Sequence, residues 1–268
     1  MSVSAVDYIC NRIVNSDDFE LSYEKLFLTT SKNRFSIEPT NPISNEEYKR
    51  LLKYSDFLSN SKNSFHRSLS LKLVSSLYEL YNYEKNCQLV VKSVLSKFGL
   101  FSAEEKFVHN TLSLPVSVEF SSNYRKMNQK IGNTDDIFTN AQFEIYQFIL
   151  NNLHFSFSGP TSLGKSFLLK NTAIDLTGTV KNIVFILPTK ALLEEYLIDI
   201  RQLLSQRNID DVNVTKSVSG FSKDEKNILI FTQERYNSFL FEQAYSNENV
   251  DVLFVDEAHK LADKNSRR

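Results

Sequence analysis

The feature that most constrains this fold is a glycine-containing run of eight residues, Gly159-Pro160-Thr161-Ser162-Leu163-Gly164-Lys165-Ser166. It fits the pattern G-x-x-x-x-G-K-[ST], in which the glycines let backbone N–H groups turn inward around phosphate oxygens. The pattern has this meaning only between a buried strand and a helix. An apolar stretch at residues 153–157 predicts the strand, and Phe167-Leu168-Leu169 predicts the start of the helix. The sequence therefore predicts a phosphate-binding loop in an α/β domain.

A second motif, Asp256-Glu257-Ala258-His259, follows the β-branched and apolar stretch 250–255. This stretch predicts a central strand, and open α/β sheets bind ligands at the carboxyl ends of their strands. An Asp-Glu pair after a strand is, by itself, more often a solvated loop or helix start, but the upstream glycine loop favours a catalytic interpretation. We expect Lys165 to bind the β- and γ-phosphates, and Ser166 and Asp256 to hold Mg²⁺. Glu257 is then placed to orient and deprotonate the attacking water.

The order of these motifs resembles the first RecA-like domain of superfamily 2 helicases of the DEAD/DEAH-box and Ski2-like kind. The resemblance covers residues 131–268. It implies that all eight residues of the glycine loop bind ATP, and that Mg²⁺ is required. It also implies that DNA or RNA is the partner, and that ATP hydrolysis drives strand movement in the complete enzyme. His259 is then expected to couple ATP hydrolysis to strand movement.

A weaker motif, Phe138-Thr139-Asn140-Ala141-Gln142, resembles the Q motif of the same family. The resemblance implies that Gln142 binds ATP by reading the adenine edge. Thr139 and Gln142 also form a T-x-x-Q capping box before a helical pattern, which is a sufficient reason for both residue types. The two roles are compatible, and the sequence leaves both open.

Three further segments match nucleic-acid-binding motifs of the family in the expected order. They are Pro188-Thr189-Lys190-Ala191-Leu192 (motif Ia), Ser219-Gly220 (a glycine turn) and Thr232-Gln233-Glu234-Arg235 (motif Ib). The resemblance implies contacts with the strand backbone from Thr189, Lys190, Gly220, Thr232 and Arg235. The two threonines could equally be plain helix N-caps, and Lys190 a solvated residue of a first helical turn.

Composition narrows the class of protein. With 268 residues, 41% of them hydrophobic and 24% charged, the chain is predicted to be globular. The net charge of −1 argues against a polybasic binder. Cys10 and Cys87 are far apart and predict buried free thiols rather than a disulfide framework or zinc site. No apolar run approaches the ~20 residues that span a bilayer, so we expect a cytoplasmic protein without membrane contact.

The chain is predicted to divide near residue 130. Helical apolar spacing up to about residue 112 predicts an all-α domain over 1–130, in which a Ser44-x-x-Glu47 capping box starts one helix and Gly99 ends another. Alternating residues at 114–120 predict a short strand, followed by a polar linker at 121–136. Residues 131–268 predict an incomplete RecA-like P-loop domain with a parallel sheet and helices on both faces. Its strands are expected near 153–158, 182–187, 212–218, 227–231 and 250–255.

The sequence ends nine residues after His259, so motif III and the second RecA-like domain of the family are not part of it. We expect that domain in a longer product or a separate chain, and weak or no hydrolysis without it. Two functions remain. One is a helicase or translocase with a regulatory or partner-docking helical region, a layout similar to prokaryotic defence helicases such as those of Hachiman-type systems. The other is a non-catalytic ATP-binding interaction module that acts through its helical domain.

Overall fold

The computed structural model describes residues 4–37, 42–107, 113–152, 154–160, 163–243 and 249–258. The chain forms two compact units, Met1–Gln129 and Lys130–Arg268. Within the described ranges, no helix is both long and apolar enough to cross a membrane. Cys10 and Cys87 are free and buried, which confirms the prediction for both thiols.

All regular secondary structure described in the first unit is helical. Its helices are α1 (Ala5–Val14), α2 (Asp17–Arg34), α3 (Asn45–Leu58), α4 (Ser64–Tyr81), α5 (Lys85–Phe98), α6 (Phe101–Phe107) and α7 (Val116–Gln129). The predicted capping box is confirmed at the start of α3, where Ser44 and Glu47 each accept from the other's backbone N–H. Gly99, in the left-handed conformation with φ 68°, ends α5 as predicted. Apolar side chains of α1 to α5 form one buried core.

The strand predicted at residues 114–120 is wrong, because this segment starts α7. The carbonyl of Pro115 accepts from the backbone N–H groups of Val118 (2.9 Å) and Glu119 (3.0 Å), and the fixed φ of proline suits a helix start. The polar linker predicted at 121–136 is likewise helical as far as Gln129. An alternating pattern predicts a strand when its apolar residues are buried on one face. In α7 several apolar residues are instead exposed, namely Val116, Phe120, Tyr124 and Met127.

The second unit is an α/β domain with a parallel sheet, as predicted. Its helices are α8 (Asn140–Asn151), α9 (Lys165–Leu176), α10 (Lys190–Gln206) and α11 (Gln233–Gln243). Its strands are β1 (Asn182–Ile186), β2 (Val212–Thr215), β3 (Lys226–Phe231) and β4 (Val252–Val255), in the order β2-β3-β1-β4. All three pairings are parallel. One face of the sheet packs against α9 and α10, and the other packs against α11.

Two strand predictions in this unit need correction. Residues 154–158 are not in a strand, and Leu153 lies outside the described residues. Phe155 instead stacks on Phe148 of α8, with ring centroids 5.6 Å apart, so the apolar run packs through its rings without ladder partners. The strand predicted at 212–218 ends at Thr215, and Val218–Gly220 form a short 3-10 turn.

Three asparagines form a ladder across the amino-terminal part of the sheet. Asn182, Asn227 and Asn213 are partners in register on β1, β3 and β2. The side-chain amide of Asn227 donates to Oδ1 of Asn182 at 2.9 Å, and that of Asn213 donates to Oδ1 of Asn227 at 3.0 Å. A slip of one residue would point these amides to opposite faces, so the ladder specifies the strand register.

Candidate nucleotide-binding site

The glycine loop leads directly into α9, whereas residues 154–158 before it are not in a strand, so among the described residues only the helix of the expected strand-loop-helix context is present. Gly164 has φ 69°, a left-handed conformation that glycine adopts at little cost, and α9 begins at Lys165. The starts of α8 and α10 are capped by the side chains of Thr139 and Thr189, whereas glycine brings no side chain to the start of α9. The partial positive charge of this helix end therefore meets no capping oxygen from the residue before it, an arrangement suited to an anion.

Lys165 keeps its ammonium group at the loop. Its Nζ donates to the carbonyl oxygens of Gly159 at 2.7 Å and Pro160 at 3.2 Å. The loop is tight, since a Cβ at position 159 would lie 2.6 Å from Cδ2 of Leu163. Thr161 and Ser162 of the predicted loop lie outside the described residues. The described part thus brings a cation and a helix N-terminus together, which fits phosphate binding.

Gln142 links the start of α8 to the glycine loop. Its Oε1 accepts from the backbone N–H of Thr139 at 2.9 Å, which confirms the capping box, and its Nε2 donates to the carbonyl of Leu163 at 2.9 Å. The residue is 7% exposed. A Cβ on Gly164 would lie 2.9 Å from the same Nε2, so the amide packs tightly against the loop. Both polar ends of this side chain therefore bind the protein itself, while the adenine role stays a prediction.

Asp256 follows β4 at the carboxyl edge of the sheet. Its backbone N–H donates to the carbonyl of Ile186 at 3.2 Å and so extends the pairing of β4 with β1. The hydroxyl of Ser166 lies 3.4 Å from Oδ2 of Asp256. Two residues predicted from motifs 90 positions apart in the chain are thereby brought into contact. Asp256 as a whole is 8% exposed, so the residue is buried beside the loop.

Sequence reasoning missed Tyr196 and Lys170. The phenol of Tyr196 donates to Oδ2 of Asp256 at 2.6 Å, and its ring lies beneath the ammonium of Lys170 at 4.3 Å from the centroid. Burial raises the pKa of the Tyr196 phenol above its ordinary value, and the bond to Asp256 raises it further. The only sequence signal is a polar-tipped residue within the apolar helical stripe of α10.

Glu257 adopts a left-handed backbone conformation with φ 51°, which is uncommon for residues other than glycine. Its backbone N–H donates to Oδ1 of Asp256 at 2.9 Å. Such strained positions cluster at functional sites, and here the strain follows directly on the buried carboxylate. His259 lies outside the described residues.

The residues predicted to bind nucleic acid all follow carboxyl ends of strands. Thr189 and Lys190 come after β1, and Lys190 is exposed. Thr232 and Arg235 come after β3, where Thr232 accepts from the backbone N–H of Arg235 at 3.4 Å. The guanidinium of Arg235 donates to the carbonyl of Lys216, in the segment after β2, at 3.0 Å.

Local packing is sufficient to explain why position 220 is a glycine. A Cβ at this position would lie 2.3 Å from Oγ1 of Thr215, so any larger residue would displace the end of β2. The carbonyl of Gly220 accepts from the side chain of Asn213 at 2.7 Å. The threonine caps and this glycine therefore stabilise the local turns, and contact with nucleic acid stays a prediction for all five residues.

The donor set at the loop fits Mg²⁺. Ser166 supplies a hydroxyl and Asp256 a carboxylate, both hard oxygen ligands. Magnesium is commonly held by one or two protein oxygens together with phosphates and water, so these two side chains are sufficient as the protein's share.

Comparisons with known proteins found one relative and one family model that match this chain. Anti-bacteriophage protein B of Escherichia coli (strain K12) is 29% identical over 126 residues, which make up 47% of this chain and 16% of that protein. The chain thus spans a small part of the length of this relative. No solved structure matches the chain. Residues 121–268, more than half of the chain, match the family described as "Type III restriction enzyme, res subunit". The chain therefore belongs to that family, whose domain has a superfamily 2 helicase-like fold.

Proposed function

We propose that the second unit binds Mg-ATP as the first motor domain of a helicase or translocase of superfamily 2. The observation that carries the proposal is the contact between Ser166 of the glycine loop and Asp256 after β4. A nucleoside triphosphatase needs the glycine loop and the carboxylate after a neighbouring strand close enough to share one metal ion. The contact brings these two motifs together.

The residues divide the work by their chemistry. Lys165 binds the β- and γ-phosphates with an ammonium group that lies at the loop. Ser166 and Asp256 would hold Mg²⁺, which would neutralise the charge of the phosphates. Glu257 orients the attacking water and accepts its proton, and His259 couples the site to the strand-binding surface. Gln142 contributes to ATP binding by supporting the loop through its hydrogen bond to the carbonyl of Leu163.

DNA or RNA is the proposed partner. Thr189, Lys190, Gly220, Thr232 and Arg235 lie in segments that follow β1, β2 and β3, and loops at the carboxyl ends of parallel strands form the binding face in this architecture. In the complete cytoplasmic enzyme a second RecA-like domain closes over the ATP. The first unit serves regulation or partner docking. The similarity to an anti-bacteriophage protein supports a role in phage defence.

The test is nucleotide binding by the 268-residue polypeptide, measured with a fluorescent ATP analogue in the presence of Mg²⁺. Lys165→Ala should weaken binding by roughly 10- to 100-fold, because hydrogen bonds to charged groups contribute about 1.5–3 kcal/mol each. The melting temperature should not change, since Lys165 is only partly buried.

Lys223→Ala is the matched control, because Lys223 is exposed in the same unit and lies before β3. Unchanged affinity in folded Lys165→Ala protein would refute the phosphate assignment. ATP-dependent binding of single-stranded DNA or RNA would support the motor. ATP binding without any effect of a strand would favour the non-catalytic interaction module.

A further inference from the structure

Tyr196 reaches the proposed metal site from within the core. Its side chain is fully buried, with 0% exposure, and its hydroxyl donates to Oδ2 of Asp256 at 2.6 Å. The hydroxyl of Ser166 contacts the same oxygen at 3.4 Å. The other oxygen, Oδ1, accepts from the backbone N–H of Glu257 at 2.9 Å. The carboxylate therefore has a hydrogen-bond donor on each oxygen, and the phenol makes the shortest of these contacts.

The tyrosine ring is itself fixed in place. The ring of Phe185 on β1 meets it edge-on, with centroids 5.4 Å apart. On α9, the ammonium of Lys170 lies 4.3 Å from the ring centroid. Lys170 also forms ion pairs with Glu195 at 3.5 Å and with Asp199, both on α10. A ring held by a strand and a neighbouring helix loses little further freedom when its hydroxyl binds a carboxylate.

We propose that Tyr196 is a positioning residue that holds the carboxylate of Asp256 in the orientation needed for Mg²⁺ bound with the nucleotide. The proposal rests on the proposed function of Asp256 as a magnesium ligand. Hydrogen-bond donors to a ligating carboxylate orient it toward the metal, and their loss commonly lowers metal affinity by about 10- to 100-fold. Tyr196 would thus set how much Mg²⁺ the site requires without touching the metal, the phosphates or the water.

The experiment is a Mg²⁺ titration of ATP-analogue binding to the 268-residue polypeptide and its variants. Tyr196→Phe keeps the ring, the contact with Phe185 and the cation over the ring, and removes only the hydroxyl. We expect the Mg²⁺ concentration at half-maximal effect to rise about 10- to 100-fold. Nucleotide affinity in excess EDTA should stay within about twofold of wild type. A merely structural tyrosine would lower the melting temperature without moving the Mg²⁺ midpoint.

Tyr146→Phe is the matched control. Burial raises the pKa of Tyr146 to about 12, and the charge of the nearby Asp175 carboxylate raises it further. This variant makes the same chemical change in the same unit, beside a carboxylate that lies nine residues after Ser166 on α9, and should leave the Mg²⁺ midpoint unchanged.

Asp256→Asn separates failure of this inference from failure of the proposed function. If Asp256→Asn leaves the Mg²⁺ dependence unchanged, Asp256 is not a metal ligand, and both proposals fall. If Asp256→Asn raises the Mg²⁺ requirement while Tyr196→Phe titrates like wild type, the metal site stands and the role of Tyr196 is overturned. An equal shift in Tyr146→Phe would overturn it as well.

Discussion

At the amino end of the sheet, polar side chains bind one another, whereas at the carboxyl end they surround the glycine loop. Asn182, Asn213 and Asn227 form a ladder of side-chain hydrogen bonds, in which Asn182 and Asn227 are buried and Asn213 is partly buried. Asp256, at the other end, accepts from residues of two helices and precedes a strained backbone position. The comparison teaches that hydrogen-bonded polar side chains specify the strand register at one end of the sheet, whereas at the other end they surround the loop that we propose to bind Mg-ATP.

The largest effect on this comparison is expected from Asn227→Ala. Asn227 is 1% exposed, and its side chain also donates to the carbonyls of Ser222 and Glu225. Truncation removes the hydrogen bonds to Asn182 and Asn213 and to these two carbonyls, and should lower the free energy of unfolding of the second unit by about 2–4 kcal/mol. Faster amide hydrogen exchange in β1 and β3 would report this loss, and nucleotide affinity of the folded protein should not change.

Asn237→Ala on the exposed side of α11 is the control, because alanine there is neutral or slightly favourable for a helix. Unchanged exchange in Asn227→Ala would show that the ladder does not stabilise the sheet. A specific loss of nucleotide binding would show that the two ends of the sheet are not independent.

A smaller effect is expected from Gln142→Glu at the carboxyl end. The carboxylate can still accept from Thr139, but its second oxygen would face the carbonyl of Leu163 in place of a donor. We expect affinity for ATP and GTP to fall together by roughly tenfold, since a lost buried hydrogen bond costs about 1–3 kcal/mol. Parallel titrations with both nucleotides measure this.

Gln147→Glu, exposed on the same helix, provides the control charge change. A loss confined to ATP would instead support adenine reading by Gln142, and would make the bond to Leu163 secondary. Either result sharpens the contrast between side chains that stabilise the fold and those that select a ligand.

The smallest effect is expected from Glu257→Gln in the 268-residue polypeptide. Without the arginine finger of a second domain, worth about 10³ to 10⁵ in rate in related phosphoryl transfer, wild-type hydrolysis should already be close to background. Phosphate release by the two proteins should agree within about twofold. Strong strand-stimulated hydrolysis that this substitution abolishes would show that these residues, or a second copy of them, complete the site.

Local signals in the sequence were sufficient for much of the fold and for part of the site. The box at Ser44 and Glu47, the terminal Gly99 and the box at Thr139 act within a few residues, so spacing alone predicts them. The motifs also predicted Ser166 and Asp256, which the fold brings together.

The features that the sequence did not predict correctly depend on contacts between distant parts of the chain. The phenol of Tyr196 meets Asp256 across 60 positions of sequence, and nothing in the spacing of α10 distinguishes it from a core aromatic. Residues 154–158 have the composition of a strand, but a strand also requires a ladder partner, which composition does not report. The alternation of Val116 and Phe120 led to a wrong strand prediction, because both residues are exposed on a helix and do not form a buried face.

The asparagine ladder also restricts how this domain can change over evolutionary time. Asn227 bonds Asn182 on one side and Asn213 on the other, so a single codon change in the middle removes a hydrogen bond from each neighbour, and one of these neighbours, Asn182, is buried. Replacing bonded partners together by apolar residues of similar shape can be nearly neutral, whereas each single step is costly. The three positions should therefore be inherited as a unit and exchanged as a unit, so a relative that has lost one of these amides is expected to have lost the others.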